Sequence, residues 1–179
     1  MKIRSLVKVA LFAALTAVSV YLIPPIAIPG IAVVFTLQTL FVLIAGYLLK
    51  PGEAFAAMAA YVALGAIGLP VFSGGQGGLP AILGPTGGFI VLFPVVALTI
   101  AILKKKRKSA LSRIAIGILV GILGLYLPAV AWLTLFLQTD YFVTLLAMAP
   151  YALFDVVKVV IAEFIARKAE RALTANGTE

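Results

Sequence analysis

Long apolar stretches, separated only by short segments rich in proline, glycine or basic residues, fill this chain from end to end. Of its 179 residues 64% are apolar and 11% charged, where soluble domains carry roughly 25% charged residues. A water-soluble fold of that size has too little interior to hide so much apolar surface. Lipid is therefore the solvent this chain requires.

Six apolar runs predict six transmembrane helices, at about 6–23, 36–49, 53–69, 88–103, 110–136 and 144–168. The first follows a basic start, Met1 to Lys8, and stops at Pro24 and Pro25, because proline supplies no N–H and disfavours helix before it. A basic start ahead of an apolar run also describes a signal peptide. No small-x-small cleavage site precedes the prolines, so the helix is expected to be retained. Pro24 to Phe35, uncharged and with three prolines, reads as an outer loop or a re-entrant segment. Helix two ends at the turn Lys50-Pro51-Gly52, and helix three opens on Glu53, where the helix dipole favours an acid. Pro128 in the fifth run is a site for a kink. Several runs fall short of the ~20 residues of a perpendicular span, so loops are expected to contribute a turn or two. The expected fold is an all-α membrane protein with one transmembrane domain over residues 1–179.

Charge sets the orientation. With the N-terminus in the cytoplasm, the inner segments hold Lys2, Arg4, Lys8, Lys50, the basic run 104–108, Arg113, Arg167, Lys168 and Arg171, and the outer loops hold only the acid Asp140. That asymmetry is the positive-inside pattern and places both termini in the cytoplasm. It also accounts for the net charge of +8 by attraction to the bilayer's head groups rather than to nucleic acid.

The chain has no cysteine and no histidine, which removes disulfides, thiolate nucleophiles, the commonest general base and the commonest metal ligands. Catalysis would have to run on the 6 Asp and Glu residues, most of them near predicted helix ends. No catalytic or metal site and no cofactor are expected.

Lys158, the basic residue outside that tally, lies inside the last run three positions from Asp155, so the two share a helical face. Ionised groups are costly in hydrocarbon. The pair either neutralises itself so that the helix can insert, or faces the bundle interior and meets a polar ligand, Asp155 accepting and Lys158 donating hydrogen bonds. The segment Pro70 to Gly88, PVFSGGQGGLPAILGPTGG, contains two glycine blocks able to expose backbone N–H and C=O groups to a small molecule. No Gly-Lys-Ser/Thr follows either block, so it is no phosphate loop. It reads as a flexible connector or, given Phe72, Leu79, Ile82, Leu83 and Phe89, as a lid over a pocket. On the first helix Ala10 with Ala14 and Ala13 with Ala17 form small-xxx-small pairs, suited to internal packing or to a groove for a partner subunit. Tyr21, Tyr61, Tyr126, Trp132, Tyr141 and Tyr151 fall mostly toward the outer side, as interfacial anchors or pocket walls.

FSGGQGGLPAILGPTGGF in the central loop together with APYALFDVVK in the last helix resembles the BioY family, the biotin-binding S components of energy-coupling factor transporters. The likeness covers nearly the whole chain. It implies a compact six-helix bundle with a pocket near the external face, closed by loops after helices one and three. It further implies that Asp155 and Lys158 hydrogen-bond biotin beside a polar residue of the glycine loop, Gln76 flanked by Gly75 and Gly77, with Gln38 and Thr39 as further candidates. No outer Arg or Lys is available for the valeryl carboxylate, which leaves Thr86, the amides of Gly87 and Gly88, or a shared Lys158. Partners implied are a transmembrane coupling subunit, docked on the first-helix alanines, and two ATPase subunits in a prokaryotic cytoplasmic membrane. An S component for thiamin or riboflavin, or a small membrane-embedded enzyme, are the rival readings.

Overall fold

A computed structural model describes residues 3–22, 26–27, 34–107 and 109–175, with the backbone alone described at 26–27 and 34–35. Pro24, Pro25 and most of the proline-rich connection after helix one lie outside these residues, as do Lys2 and Lys108.

The chain folds into helices α1 (Ile3–Leu22), α2 (Gln38–Leu48), α3 (Pro51–Ala66), a short α4 (Leu79–Leu83), α5 (Gly87–Lys104), α6 (Ala110–Ile116), α7 (Gly124–Leu137), α8 (Tyr141–Ala147) and α9 (Ala149–Ala175). A two-residue antiparallel pairing joins Ile26 to Phe35 and Ala27 to Val34. The fold is all-helical, and its apolar runs coincide with helical columns. By length and apolarity α1, α5 and the continuous column Ala110–Leu137 suffice to cross a bilayer, as does the bent pair α8 plus α9 taken as one span. α2 and α3, at 11 and 16 residues, are shorter than the about 20 of a perpendicular crossing.

The last run departs from its predicted course. Instead of one helix over about 144–168, α8 and α9 meet at a 51° bend. Pro150, in the first turn of α9, has no N–H to bond back and its ring crowds the preceding turn. Asp140 starts α8 early by capping it: its Oδ1 accepts from the amides of Phe142 at 2.8 Å and Val143 at 3.1 Å. In the fifth column, Pro128 sits within the regular helix α7. The irregularity lies before it, in a π-type stretch over Gly117–Leu123. There the column presses on α2, so that a Cβ on Gly117 would meet the Tyr47 hydroxyl at 2.0 Å and one on Gly121 would meet Leu43 at 2.4 Å.

α2 lies at the centre, with Val42, Leu43, Ala45 and Tyr47 all buried against α5 and α9. The outer helices keep large apolar side chains exposed, among them Leu11 and Val18 on α1, Leu127 and Leu135 on α7, and Phe154 and Phe164 on α9. An apolar exterior around an apolar core is the pattern expected of a bundle solvated by lipid.

One end of the bundle gathers charge. Arg113 of α6 pairs with Glu163 at 2.9 Å and Glu170 at 2.7 Å, both on α9, while Arg167 holds the other oxygen of Glu163 at 2.5 Å. Lys104, at the end of α5, donates to the Tyr47 carbonyl at the end of α2, which supplies a partner for a helix-terminal C=O. At the same end Ser5 of α1 donates to Glu53 of α3 at 2.5 Å.

Candidate functional site

Asp155 and Lys158 sit toward the opposite end, buried at 2% and 5% exposure. The Lys158 ammonium meets Asp155 Oδ1 at 2.5 Å, the Thr36 carbonyl at 2.7 Å and Thr39 Oγ1 at 2.8 Å. The Thr39 hydroxyl donates to Asp155 Oδ1 at 3.1 Å and the Tyr126 hydroxyl to Oδ2 at 2.9 Å. Three elements, the start of α2, the first turn of α7 and the second turn of α9, thus converge on one carboxylate. A buried ion pair persists when further hydrogen bonds satisfy its remaining donors and lone pairs, and here neighbouring helices supply them.

The pair opens on a cavity of about 540 Å³, a volume that includes the open solvent at its mouth. Phe89, Ile90 and Phe93 of α5 give it an apolar wall, with Tyr126, Tyr151 and Met148 beside them. Phe89 stands edge-on to Tyr126 at 5.5 Å between ring centroids. Gln38, Thr39, Ser73 and Thr86 supply neutral polar groups. The Gln38 amide is tied back, donating to the Tyr61 hydroxyl. Ser73 is the reverse case: its Oγ is buried and has no hydrogen-bond partner among the described residues. An arrangement of one buried charge pair, aromatic walls and a few hydroxyls suits a small, largely apolar molecule with a polar head.

The glycine-rich segment is ordered and seated on the bundle. Phe72, 1% exposed, is sunk against Gly65 of α3, where an added Cβ would meet the ring at 2.0 Å. Gly74 and Gly75 take φ of 72° and 69°, a left-handed conformation that glycine adopts without strain. The resulting turn bonds Phe72 N to Gln76 O at 2.9 Å. It directs Ser73 to the cavity and leaves the Gln76 side chain exposed.

Of the sequence-predicted residues, Asp155, Lys158, Thr86, Gln38 and Thr39 line the cavity. Gln76, Gly75 and Gly77 lie outside its lining. Gly77 instead lies against the Leu69 carbonyl, 2.3 Å from where its Cβ would be. Gly87 and Gly88 are buried by helix contact: a Cβ would strike Ile82 O at 1.7 Å and Trp132 at 2.7 Å respectively. The two alanine pairs of α1 part company, Ala10 and Ala14 facing outward, Ala13 buried and Ala17 packed on the core. Most of the singled-out aromatics serve the site or its loops. Tyr126 and Tyr151 line the cavity, Trp132 donates to the Gly84 carbonyl at 2.9 Å, and Tyr21 donates to the Pro70 carbonyl.

Ser73 and Thr36 were not anticipated. A serine beside a glutamine in a glycine run carries no signal of which will turn inward. Tyr126 did carry one, since a phenol in the middle of an apolar helix needs a buried partner for its O–H.

The chain is similar to a protein of Pyrococcus horikoshii described as a probable biotin transporter BioY, 36% identical over 94% of this chain and 97% of that one. It is 34% identical to the biotin transporter BioY of Thermotoga maritima, over 94% and 96% of the two chains. It is 36% identical to the biotin transporter BioY2 of Lactococcus lactis, over 97% and 93%. A crystal structure described as the S-component for biotin from an ECF-type ABC transporter superposes with a TM-score of 0.90 at 26% identity, covering 95% of this chain and 92% of that one. The BioY family model matches residues 1–175, and on that match the chain belongs to the BioY family.

Proposed function

We propose that this chain is the biotin-capturing membrane subunit of an energy-coupling factor importer. The observation that carries the reading is the buried Asp155–Lys158 pair, cross-braced by Thr39 and Tyr126 and opening on an aromatic cavity. A cyclic urea offers N–H donors and a carbonyl acceptor side by side. Ionised Asp155 is an acceptor and Lys158 a donor, so the pair is complementary to such a head group, while Phe89, Phe93 and Tyr126 suit its fused thioether ring. Ser73 adds an unpartnered hydroxyl to this polar set. Thr86 is the group available to the valeryl carboxylate.

The protein works as one domain in a prokaryotic cytoplasmic membrane, with the charged end of the bundle and both termini in the cytoplasm and the cavity toward the outside. The prokaryotic sources of its relatives and the positive-inside rule support this. It has no catalytic step of its own. A transmembrane coupling subunit docks on the outward face of α1 at Ala10 and Ala14, and two ATPase subunits supply the energy.

The test is equilibrium binding of biotin to the detergent-purified protein beside Asp155→Asn and Lys158→Ala, with thiamin and riboflavin as controls. Biotin binds, the controls do not, and each substitution weakens binding at least about 10-fold, the scale of one charged hydrogen bond. A folded protein that ignores biotin overturns the reading. Binding that survives both substitutions confines the pair to a structural role.

A further inference from the structure

Spacing alone does not fix the Asp155–Lys158 pair for recognition. Residues three apart share a helical face, but a lysine stem has several rotatable bonds and a carboxylate rotates about its own. Left to each other, the two groups can pair in many orientations, few of which present the same lone pairs and protons to a ligand.

Thr39 removes that freedom. Its single hydroxyl accepts from Lys158 Nζ at 2.8 Å and donates to Asp155 Oδ1 at 3.1 Å. A hydroxyl has one proton and two lone pairs, so both of its roles are engaged by the charge pair. Thr39 reaches the pair from the first turn of α2, a helix whose other end is held by Lys104 through the Tyr47 carbonyl. Tyr126 holds the second carboxylate oxygen from α7. With Oδ1 held by Thr39 and Lys158 and Oδ2 by Tyr126, the carboxylate plane is set and the one remaining lone-pair site, on Oδ2, has one direction.

We infer that Thr39 is a positioning residue for ligand recognition: its hydroxyl locks the Asp155–Lys158 pair in the orientation that reads an N–H donor of the ligand head. This rests on the biotin reading above. A ligand with its ring nitrogens methylated lacks any such donor, and the penalty for methylation measures how well Asp155 is aimed.

The experiment compares biotin with its ring-N-methylated analogue on the full-length protein, as wild type, Thr39→Val and Thr39→Ser. Valine matches threonine in shape and lacks the hydroxyl; serine keeps the hydroxyl and loses the methyl. Thr39→Val weakens biotin about 10-fold or more, while Thr39→Ser stays within about 3-fold of wild type. The methylation penalty, large in wild type, shrinks in Thr39→Val because the carboxylate is no longer aimed. A Thr39→Val protein that binds like wild type overturns the inference. So does a serine variant as weak as valine, which would make shape the cause, or an unchanged methylation penalty, which would make Thr39 a direct contact. Thr39→Ala takes the place of valine if the latter fails to fold. Wild type that does not bind biotin overturns the biotin reading itself, a result distinct from all of these.

Discussion

The Lys158 ammonium meets a carboxylate, a hydroxyl and a backbone carbonyl, so the residue that stands out as anomalous in the sequence is held by protein groups at the cavity wall. Its presence and that of Asp155 were legible because charge inside an apolar run stands out. Their bracing was not, because Thr39 and Tyr126 lie 116 and 29 positions from Asp155 and hydroxyls are common in helices. Ser73 and Gln76 make the same point within one loop. Two successive left-handed glycines decide which side chain turns inward, and composition says nothing about that decision. At this scale Tyr126→Phe is expected to weaken biotin by about 10-fold and to lower the melting temperature as well, because a buried carboxylate oxygen loses its donor. The loss stays below that of Asp155→Asn, since phenylalanine keeps the edge-on contact with Phe89 and removes one of the bonds to the carboxylate. Calorimetric titration of the two variants in the same detergent gives the ordering.

Among elements, the seat of the glycine segment and the anchor of α9 are separable. Phe72 enters the core through the space left by Gly65, and the Gly78 amide is held by the Gly65 carbonyl at 2.7 Å. Gly65→Ala therefore evicts Phe72, at a cost of about 1–3 kcal/mol for overpacking, and moves Ser73 away from the cavity. Biotin affinity is expected to fall although no cavity residue has changed, and Phe72→Ala should produce the same fall without overpacking. Two turns beyond Asp155 along α9, at its middle, Glu163 is 2% exposed and bonded by Arg113 and Arg167. Glu163→Gln leaves the buried Arg113 short of a counter-charge, and breaking such a pair costs about 3–5 kcal/mol. Glu170, whose side chain is 37% exposed, is better solvated, so Glu170→Gln should lower the melting temperature much less. The sequence offered a hint of this anchor only as acids near a helix end. Burial of Glu163 depends on α6 lying against α9, which no local pattern encodes. The bend at Met148 was equally hidden in plain view, since Pro150 was visible but read as part of a continuous run.

The whole molecule segregates its charge. Arg4, Lys8, Lys50, Lys105, Lys106, Arg107, Lys168 and Arg171 are exposed, and the contacts Ser5–Glu53, Lys104–Tyr47 and Arg113–Glu170 draw their helix ends together at one pole. The Asp155–Lys158 cavity lies toward the other. The apolar runs made that polarity readable, because helices that alternate in direction bring every second connection to the same side. The short α2 and α3 leave the number of full crossings to be measured. The chain contains no cysteine, so single cysteines introduced at exposed positions are clean reporters. In right-side-out spheroplasts a membrane-impermeant maleimide is expected to label Asp140→Cys and Gln76→Cys, and to reach Arg4→Cys, Lys50→Cys, Lys106→Cys and Lys168→Cys only after permeabilisation. Labelling of Lys50→Cys and Lys106→Cys on opposite sides would mean that α3 and α5 do not cross as a returning pair. Labelling of Arg4→Cys with Asp140→Cys would make the number of crossings between them even and reverse one terminus. Protection of Gln76→Cys by added biotin, with Asp140→Cys unaffected, would tie the ordered glycine segment to the mouth of the occupied cavity.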